Sequence, residues 1–290
     1  MKTYKGFNKN MTCRGFQYEE GKEYKTEKAV ACETGFHACE YPLDCFNDYS
    51  PNDSVFHEVE QDGDISKRND DTKVASTKIK IGAEINIAGL VKAAIEYTLK
   101  RVNPEAKSNE DYGASSATGD YGASSATGDY GASSATGYKG ASSATGDYGA
   151  SSATGNCGAS SATGDYGASS ATGYKGASSA TGYKGASSAT GDYGASSATG
   201  NCGASSATGY KGAAEAGDPE SIAVAWGYKG KAKGVIGSYL VLADWEGNEN
   251  EYWTQEEWNL KGAKMIRVDG VNIKENTYYT MLNGEVVETK

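Results

Sequence analysis

From Asp111 to Gly209 the chain repeats one nonapeptide, x-x-Gly-Ala-Ser-Ser-Ala-Thr-Gly, eleven times without an insertion or a deletion. Variation is confined to the first two places, which read Asp-Tyr six times, Tyr-Lys three times and Asn-Cys twice. The stretch contains no Val, Ile, Leu, Met, Phe or Trp, so an ordinary apolar core cannot form there. Composition alone would suit a disordered segment studded with tyrosines. The unbroken period argues for order instead, because a flexible linker tolerates changes of length whereas stacked coils lose register with one inserted residue. The repeat therefore predicts a β-solenoid. Each copy supplies a glycine-flanked turn and a short Ala-Ser-Ser-Ala-Thr strand, and two copies make a flattened coil of eighteen residues. Successive coils then stack at about 4.8 Å.

Decaying copies beyond Tyr210 show which face points inward. The fifth and seventh places stay small, as Ala214 and Ala216, Ala223 and Ala225, Ala232 and Gly234, while the fourth, sixth and eighth places accept Glu215, Lys231, Lys233, Ile222, Val224 and Trp226. Strand alternation puts the two sets on opposite faces, and a place that never exceeds serine in size belongs in a narrow gap between two sheets. Open ends of such a stack are unpaired strand edges that need covering. Upstream, a helix over about 86–102 carries Ile87, Leu90, Ala94 and Tyr97 at helical spacing, suited to lying across the first coil. Downstream, the apolar SIAVAW and VIGSYLVLADW can close the other end. The expected architecture is an α+β head over 1–110, an all-β two-sheet solenoid over 111–237 with degraded final coils, and a small β C-terminal domain over 238–290.

Charge and motifs narrow the function. With 38 acidic against 28 basic residues the net charge is −10, which argues against nucleic acid, since phosphate neutralisation dominates such binding. No apolar run reaches the ~18 residues of a spanning helix, and the start MKTYKGFNKN has no apolar stretch of the signal-peptide kind, so a cytoplasmic protein without membrane contact is expected. The six cysteines then read as reduced thiols. Cys13, Cys32, His37, Cys39, Cys45 and His57 form no Cys-x-x-Cys or close His pair, so no metal is expected, and the array lacks the regular aspartate of a calcium-binding β-roll. No nucleophile elbow, P-loop or zinc-helix motif is present, so neither a cofactor nor a catalytic residue is expected. Trp245, Trp253 and Trp258 read as core of the C-terminal domain. The tyrosines carry more information. Tyr112, Tyr121, Tyr130, Tyr138, Tyr148, Tyr166, Tyr174, Tyr183, Tyr193 and Tyr210 are predicted to form ladders along the two solenoid edges, as sticky surface for a protein partner or for self-association.

The head carries two resemblances. The words YKGF, CRGFQYEEGKEY, GFHACEYPLDCF, HEVEQDGDI, KVASTKIKIGAEI and LVKAAIEY, with the late VDGVNIKENTYYTMLNGE, resemble a family of phage and prophage proteins of unassigned function. That resemblance spans nearly the whole chain, implies a bacterial cytoplasm during infection or prophage carriage, and supplies no activity. The order Tyr4-Lys5-Gly6, then GFHAC, a short helix ending at Tyr49 and two strands is similar to small ADP-ribosyltransferases of the rifamycin-modifying kind. In those, a Tyr-His-Gly strand holds NAD, a tyrosine stacks on the nicotinamide, and a late acidic residue orients the ribose. The resemblance implies NAD contacts at Tyr4, Lys5, Gly6 and Tyr49. Lys5 replaces the histidine and no later Asp or Glu matches, so the expectation is a retained fold without catalysis. The sequence reading is thus a noncatalytic repeat scaffold or interaction module, with a divergent transferase head as the alternative. A flat ice- or polymer-binding surface, suggested by the Ala, Ser and Thr rows, stands third.

Overall fold

The computed structural model describes residues 1–51, 53–68, 72–101, 107–247 and 258–289. Trp253 therefore lies outside the described residues. The head contains β1 (Lys2–Asn8), β2 (Thr12–Cys13), β3 (Phe16–Gln17), β4 (Glu23–Lys25), β5 (Phe36–Cys39), a 3-10 helix (Pro42–Asn47), β6 (Ser54–Lys67), β7 (Lys73–Glu84) and α1 (Ile87–Arg101). Its main sheet runs β4-β7-β5-β1-β6 with antiparallel neighbours, and β6 also pairs with β7, so four of the strands close into a small barrel. Closure needs β6 to bend. Its pairing with β7 shifts between Asp62 and Ile65. Gly63 sits there at φ +77°, where a Cβ would lie 2.3 Å from Thr77 Oγ1, so only glycine fits the bulge. Phe7, Val59, Ile79 and Ile81 fill the interior without solvent exposure.

The array folds as the repeat predicts. Alternate copies form two sheets, one of ten strands and one of nine, and equivalent residues eighteen apart pair in parallel, as Ala141 with Ala159 and Ser142 with Ser160. Fifth-place serines and seventh-place alanines are buried in both sheets, with only Ala117 of the first copy partly exposed, confirming the inward set. The gap between the sheets is spanned by a zigzag of serine hydroxyls. Ser142 donates to Ser133 (3.0 Å), Ser151 to Ser142 (2.9 Å), Ser160 to Ser151 (2.9 Å) and Ser169 to Ser160 (3.0 Å). A hydroxyl both donates and accepts, so one residue type satisfies itself along the stack.

Turn geometry departs from the simple glycine expectation in one respect. The ninth-place glycine is indeed obligatory: at Gly155, φ is +155° and a Cβ would sit 1.6 Å from the carbonyl oxygen of Gly137 one coil earlier. Along the edge that begins at Asp111, however, the second variable place also takes the left-handed conformation, with φ of 59° to 60° at Tyr112, Tyr130, Tyr148 and Tyr166. Each aspartate there stabilises the next turn. Asp111, Asp129 and Asp147 each accept the backbone N–H of the first-place residue one coil on, all at 3.1 Å.

The covering elements differ from the expectation. α1 does not lie across the first coil. It runs along the shaft over the ten-stranded sheet, touching the strands from Ala123–Thr127 to Ala195–Thr199 and burying Ile87, Leu90, Val91 and Ala94 against Ala141, Ala159, Ala177 and Ala195. Its fifteen residues span about 22 Å, between four and five coil spacings, and the fourth place of the strands beneath it is always alanine, so the helix can approach closely. The first end is met instead by the short strand Lys107–Ser108, which pairs with Ser125 and Ala126. At the far end, the hairpin of Tyr239–Glu246 and Asn259–Arg267 continues the nine-stranded sheet, and Tyr279–Leu282 with Glu285–Glu288 continues the ten-stranded one. Between them Leu240, Leu242, Val268, Tyr279 and Met281 replace the serine gap with an apolar core. Trp245 and Trp258 are not in that core. They form an edge cluster with Trp226, Tyr210 and Tyr228.

A direct test is the size limit of the gap. Ser160→Leu or Ala162→Leu should each cost about 1–3 kcal/mol by overpacking, whereas Ser134→Lys, on the exposed sheet face, should change stability by less than about 0.5 kcal/mol in urea or thermal melts.

Candidate functional site

The head is anchored to one edge of the solenoid through the 3-10 helix that Pro42 opens. Three successive turns of that edge deviate from Asp-Tyr, and all three meet the helix. Lys139 Nζ donates to Asp44 Oδ2 at 2.7 Å, Tyr41 Oη donates to the Cys157 carbonyl at 2.8 Å, and Lys175 Nζ donates to Asn47 Oδ1 at 2.6 Å. Asp44 also accepts from Thr72 Oγ1, and further down the shaft Lys231 pairs with Asp53 at 2.7 Å. Lys139 and Asp44 have side-chain exposures of only 7% and 6%. Burial lowers the affinity of the Lys139 ammonium for its proton, but the Asp44 charge and hydrogen bond more than restore it, so Lys139 keeps its proton. Its ammonium also sits 4.9 Å from the Tyr41 ring, 5.7 Å from Tyr121 and 5.8 Å from Tyr138. Burial first, then the Asp44 charge, pushes the Cys157 thiol up to about 11. The charge of Lys139 is thus balanced by the head rather than by a neighbouring turn.

On the outer side of the barrel lies a cleft of about 800 Å³. It brings together Tyr4, Lys5, Gly6 and Tyr49, the four residues that the transferase resemblance singles out, with Cys13, Arg14 and the aromatic rings of Phe16, Tyr18 and Tyr24. Gly6 is needed because a Cβ would lie 2.6 Å from Tyr49 atoms. Lys5 is 5% exposed, and its ammonium is taken up by the chain itself: it donates to the His37 carbonyl at 2.8 Å and to Cys13 Sγ at 3.4 Å. It also lies 5.3 Å from the Phe7 ring and 5.7 Å from Tyr18. His37 accepts the Cys32 N–H at Nε2 (3.0 Å), and burial, then the Lys5 charge, lowers its affinity for a proton. Cys39 is held protonated by its hydrogen bond with Cys45 and by burial. Among the described residues no three His, Cys, Asp or Glu side chains gather as a metal site, and no helix is long and apolar enough to cross a membrane.

The opposite edge is exposed. Tyr112, Tyr130, Tyr148 and Tyr166 stack face to face with ring centroids 4.8 Å apart and planes within 5° of parallel. Tyr183 then turns edge-on to Tyr166 at 5.7 Å. Tyr121, Tyr138 and Tyr174 are exposed on the edge that faces the head, and Tyr193 is half-buried. Tyr210 leaves the set: it is 4% exposed, covered by Tyr228 and Trp258. Cys157 and Cys202 fall on opposite edges, one buried and one exposed, as the repeat count requires.

Residues 1–93 match a family model described as a domain of unknown function, DUF7666. The match covers the barrel, the 3-10 helix and the first half of α1, and stops before the array. No curated protein and no solved structure matches the chain.

Two measurements probe this site. Lys139→Met leaves the buried Asp44 carboxyl without its ion-pair partner and should destabilise the protein by about 3–5 kcal/mol, so that Cys157 labels with maleimide through more frequent opening of this contact rather than through a lower thiol pKa. In the wild type only exposed thiols such as Cys32 and Cys202 should label quickly. The second measurement is an alkaline titration. Burial holds the Tyr4, Tyr41 and Tyr49 hydroxyls above the ordinary tyrosine value, so the folded chain keeps protons that the unfolded chain loses. Stability should be intact below about pH 10 and fall as the pH rises further, with phenolate absorbance growing as unfolding proceeds.

Proposed function

We propose that the protein is a noncatalytic repeat scaffold, in which a rigid solenoid holds the head in place and offers its tyrosine edge to a protein partner or to a second copy. The observation that carries this reading is the unequal use of two chemically similar edges. One edge already binds a folded surface, the head, through its variable turns. The other repeats Asp-Tyr unchanged over four coils and leaves its stacked rings exposed. Such rings are locked by backbone register, so they lose little side-chain entropy on binding, and aromatic surface is what protein interfaces favour. The phage or prophage setting that the sequence words imply fits a scaffold whose partner is supplied by host or virus.

A second reading, a divergent or degenerate NAD-dependent ADP-ribosyltransferase head, is favoured by one observation: Tyr4, Lys5, Gly6 and Tyr49 share a single cleft. Against it, the Lys5 ammonium is directed to the His37 carbonyl, and a lysine lacks the planar, two-sided hydrogen bonding of imidazole. The deciding experiment incubates the protein with NAD and a bacterial lysate. No nicotinamide release is expected, and a captured partner should be lost from a Tyr130→Ser/Tyr148→Ser variant that keeps its β circular dichroism. ADP-ribose transfer that disappears in Lys5→Ala would overturn the scaffold reading.

A further inference from the structure

The exposed edge carries more than aromatic surface. Each of its four Asp-Tyr turns, from Asp111–Tyr112 to Asp165–Tyr166, places an exposed carboxylate beside an exposed ring. The carboxylates cannot swing freely, because one oxygen of each of Asp111, Asp129 and Asp147 accepts the backbone N–H of the next rung, and Asp165 accepts that of Tyr183 at 2.9 Å. The result is a strip with a fixed negative charge and a fixed π-face every 4.8 Å. No lysine stands within these four turns.

Lysine does stand at the next one, and its position is informative. Lys184 Nζ lies 4.8 Å from the Tyr183 ring and 5.4 Å from Tyr166, so the last ring of the ladder is already met by an ammonium of the same chain. A fuller version occurs where the solenoid meets its own head: Lys139 is held by Asp44 and by the rings of Tyr41, Tyr121 and Tyr138. The first case shows the edge tyrosines receiving a cation through the ring quadrupole, and the second shows ring and carboxylate acting on one cation together, with Asp44 and Tyr41 supplied by the head. The exposed strip sets an aspartate beside each of four rings, and among the described residues the rings of Tyr112, Tyr130 and Tyr148 carry no lysine of the same chain.

We propose that this strip is a docking site for an extended, lysine- or arginine-rich protein segment. The proposal rests on reading the edge as an interaction surface and names the chemistry of what binds there. Alternate side chains of an extended strand are about 6.8 Å apart, which does not match the rung spacing one to one. Long, flexible cationic side chains can still reach successive rungs, so recognition follows the density of positive charge more than its sequence. The net charge of −10 favours such a partner at long range, and salt should weaken the complex.

The test uses the full chain and a short peptide alternating lysine and glycine, with an alternating glutamate and glycine peptide as control, followed by calorimetry at low and high salt. Asp129→Asn/Asp147→Asn removes two charges while keeping an oxygen to accept the next rung's N–H, so the fold is retained. Tyr130→Leu/Tyr148→Leu removes two rings. Each double variant should bind the basic peptide about ten-fold more weakly, while Asp62→Asn/Asp64→Asn in the head, with the same change in net charge, should bind as the wild type does. Equal weakening by the head variant, or no binding of the basic peptide at low salt, would overturn the proposal. A lysate partner that depends on Tyr130 and Tyr148 but is not displaced by the peptide would leave the scaffold reading standing and sink only this one.

Discussion

Everything in this molecule depends on the in-register stacking of identical residues eighteen positions apart. Because the inward places hold only serine and alanine, the two sheets approach closely and little apolar surface is available to hold them. Backbone ladders and the serine zigzag take over that role, and both fail together if one residue is inserted. The ninth-place glycine follows from the same closeness, since its neighbour one coil away is the same glycine's carbonyl. A structure built this way is stiff along its length, which suits it to hold other surfaces at fixed spacing.

The head completes the shaft as much as the shaft carries the head. α1 covers the outer alanines of one sheet, and the 3-10 helix satisfies lysines that would otherwise stand along one edge. The other sheet face and the other edge have no equivalent cover among the described residues, so near-identical repeats acquire different surroundings. Asp44 shows how much of this rests on charge: a carboxylate this buried is tolerable because Lys139 and Thr72 both meet it.

Much of this was legible in the sequence. The solenoid, its coil length, the inward places and the opposite placement of Cys157 and Cys202 follow from period and residue size, because a repeat imposes one local answer many times over. One signal lay unread: Tyr138-Lys139, Asn156-Cys157 and Tyr174-Lys175 interrupt the Asp-Tyr pattern in every second copy, and a period of two copies places them on a single edge. Sorted by edge, these substitutions mark a contact surface. The transferase-like words placed Tyr4, Lys5, Gly6 and Tyr49 near one another, and the cleft contains them all.

What the sequence by itself determined is the repeating unit: strand, turn, register and the thin polar gap, all set by contacts between a residue and its copies. Only the tertiary structure decided what lies against that unit. Whether α1 capped an end or lay along a face depended on the shallow surface that stacked alanines create across five strands, which no window of sequence contains. Whether the Lys5 ammonium faced a ligand or the His37 carbonyl depended on how the barrel closes. Tyr210 and the tryptophans likewise left their expected places because the far end packs over them, a consequence of distant strands meeting rather than of their neighbours in the chain.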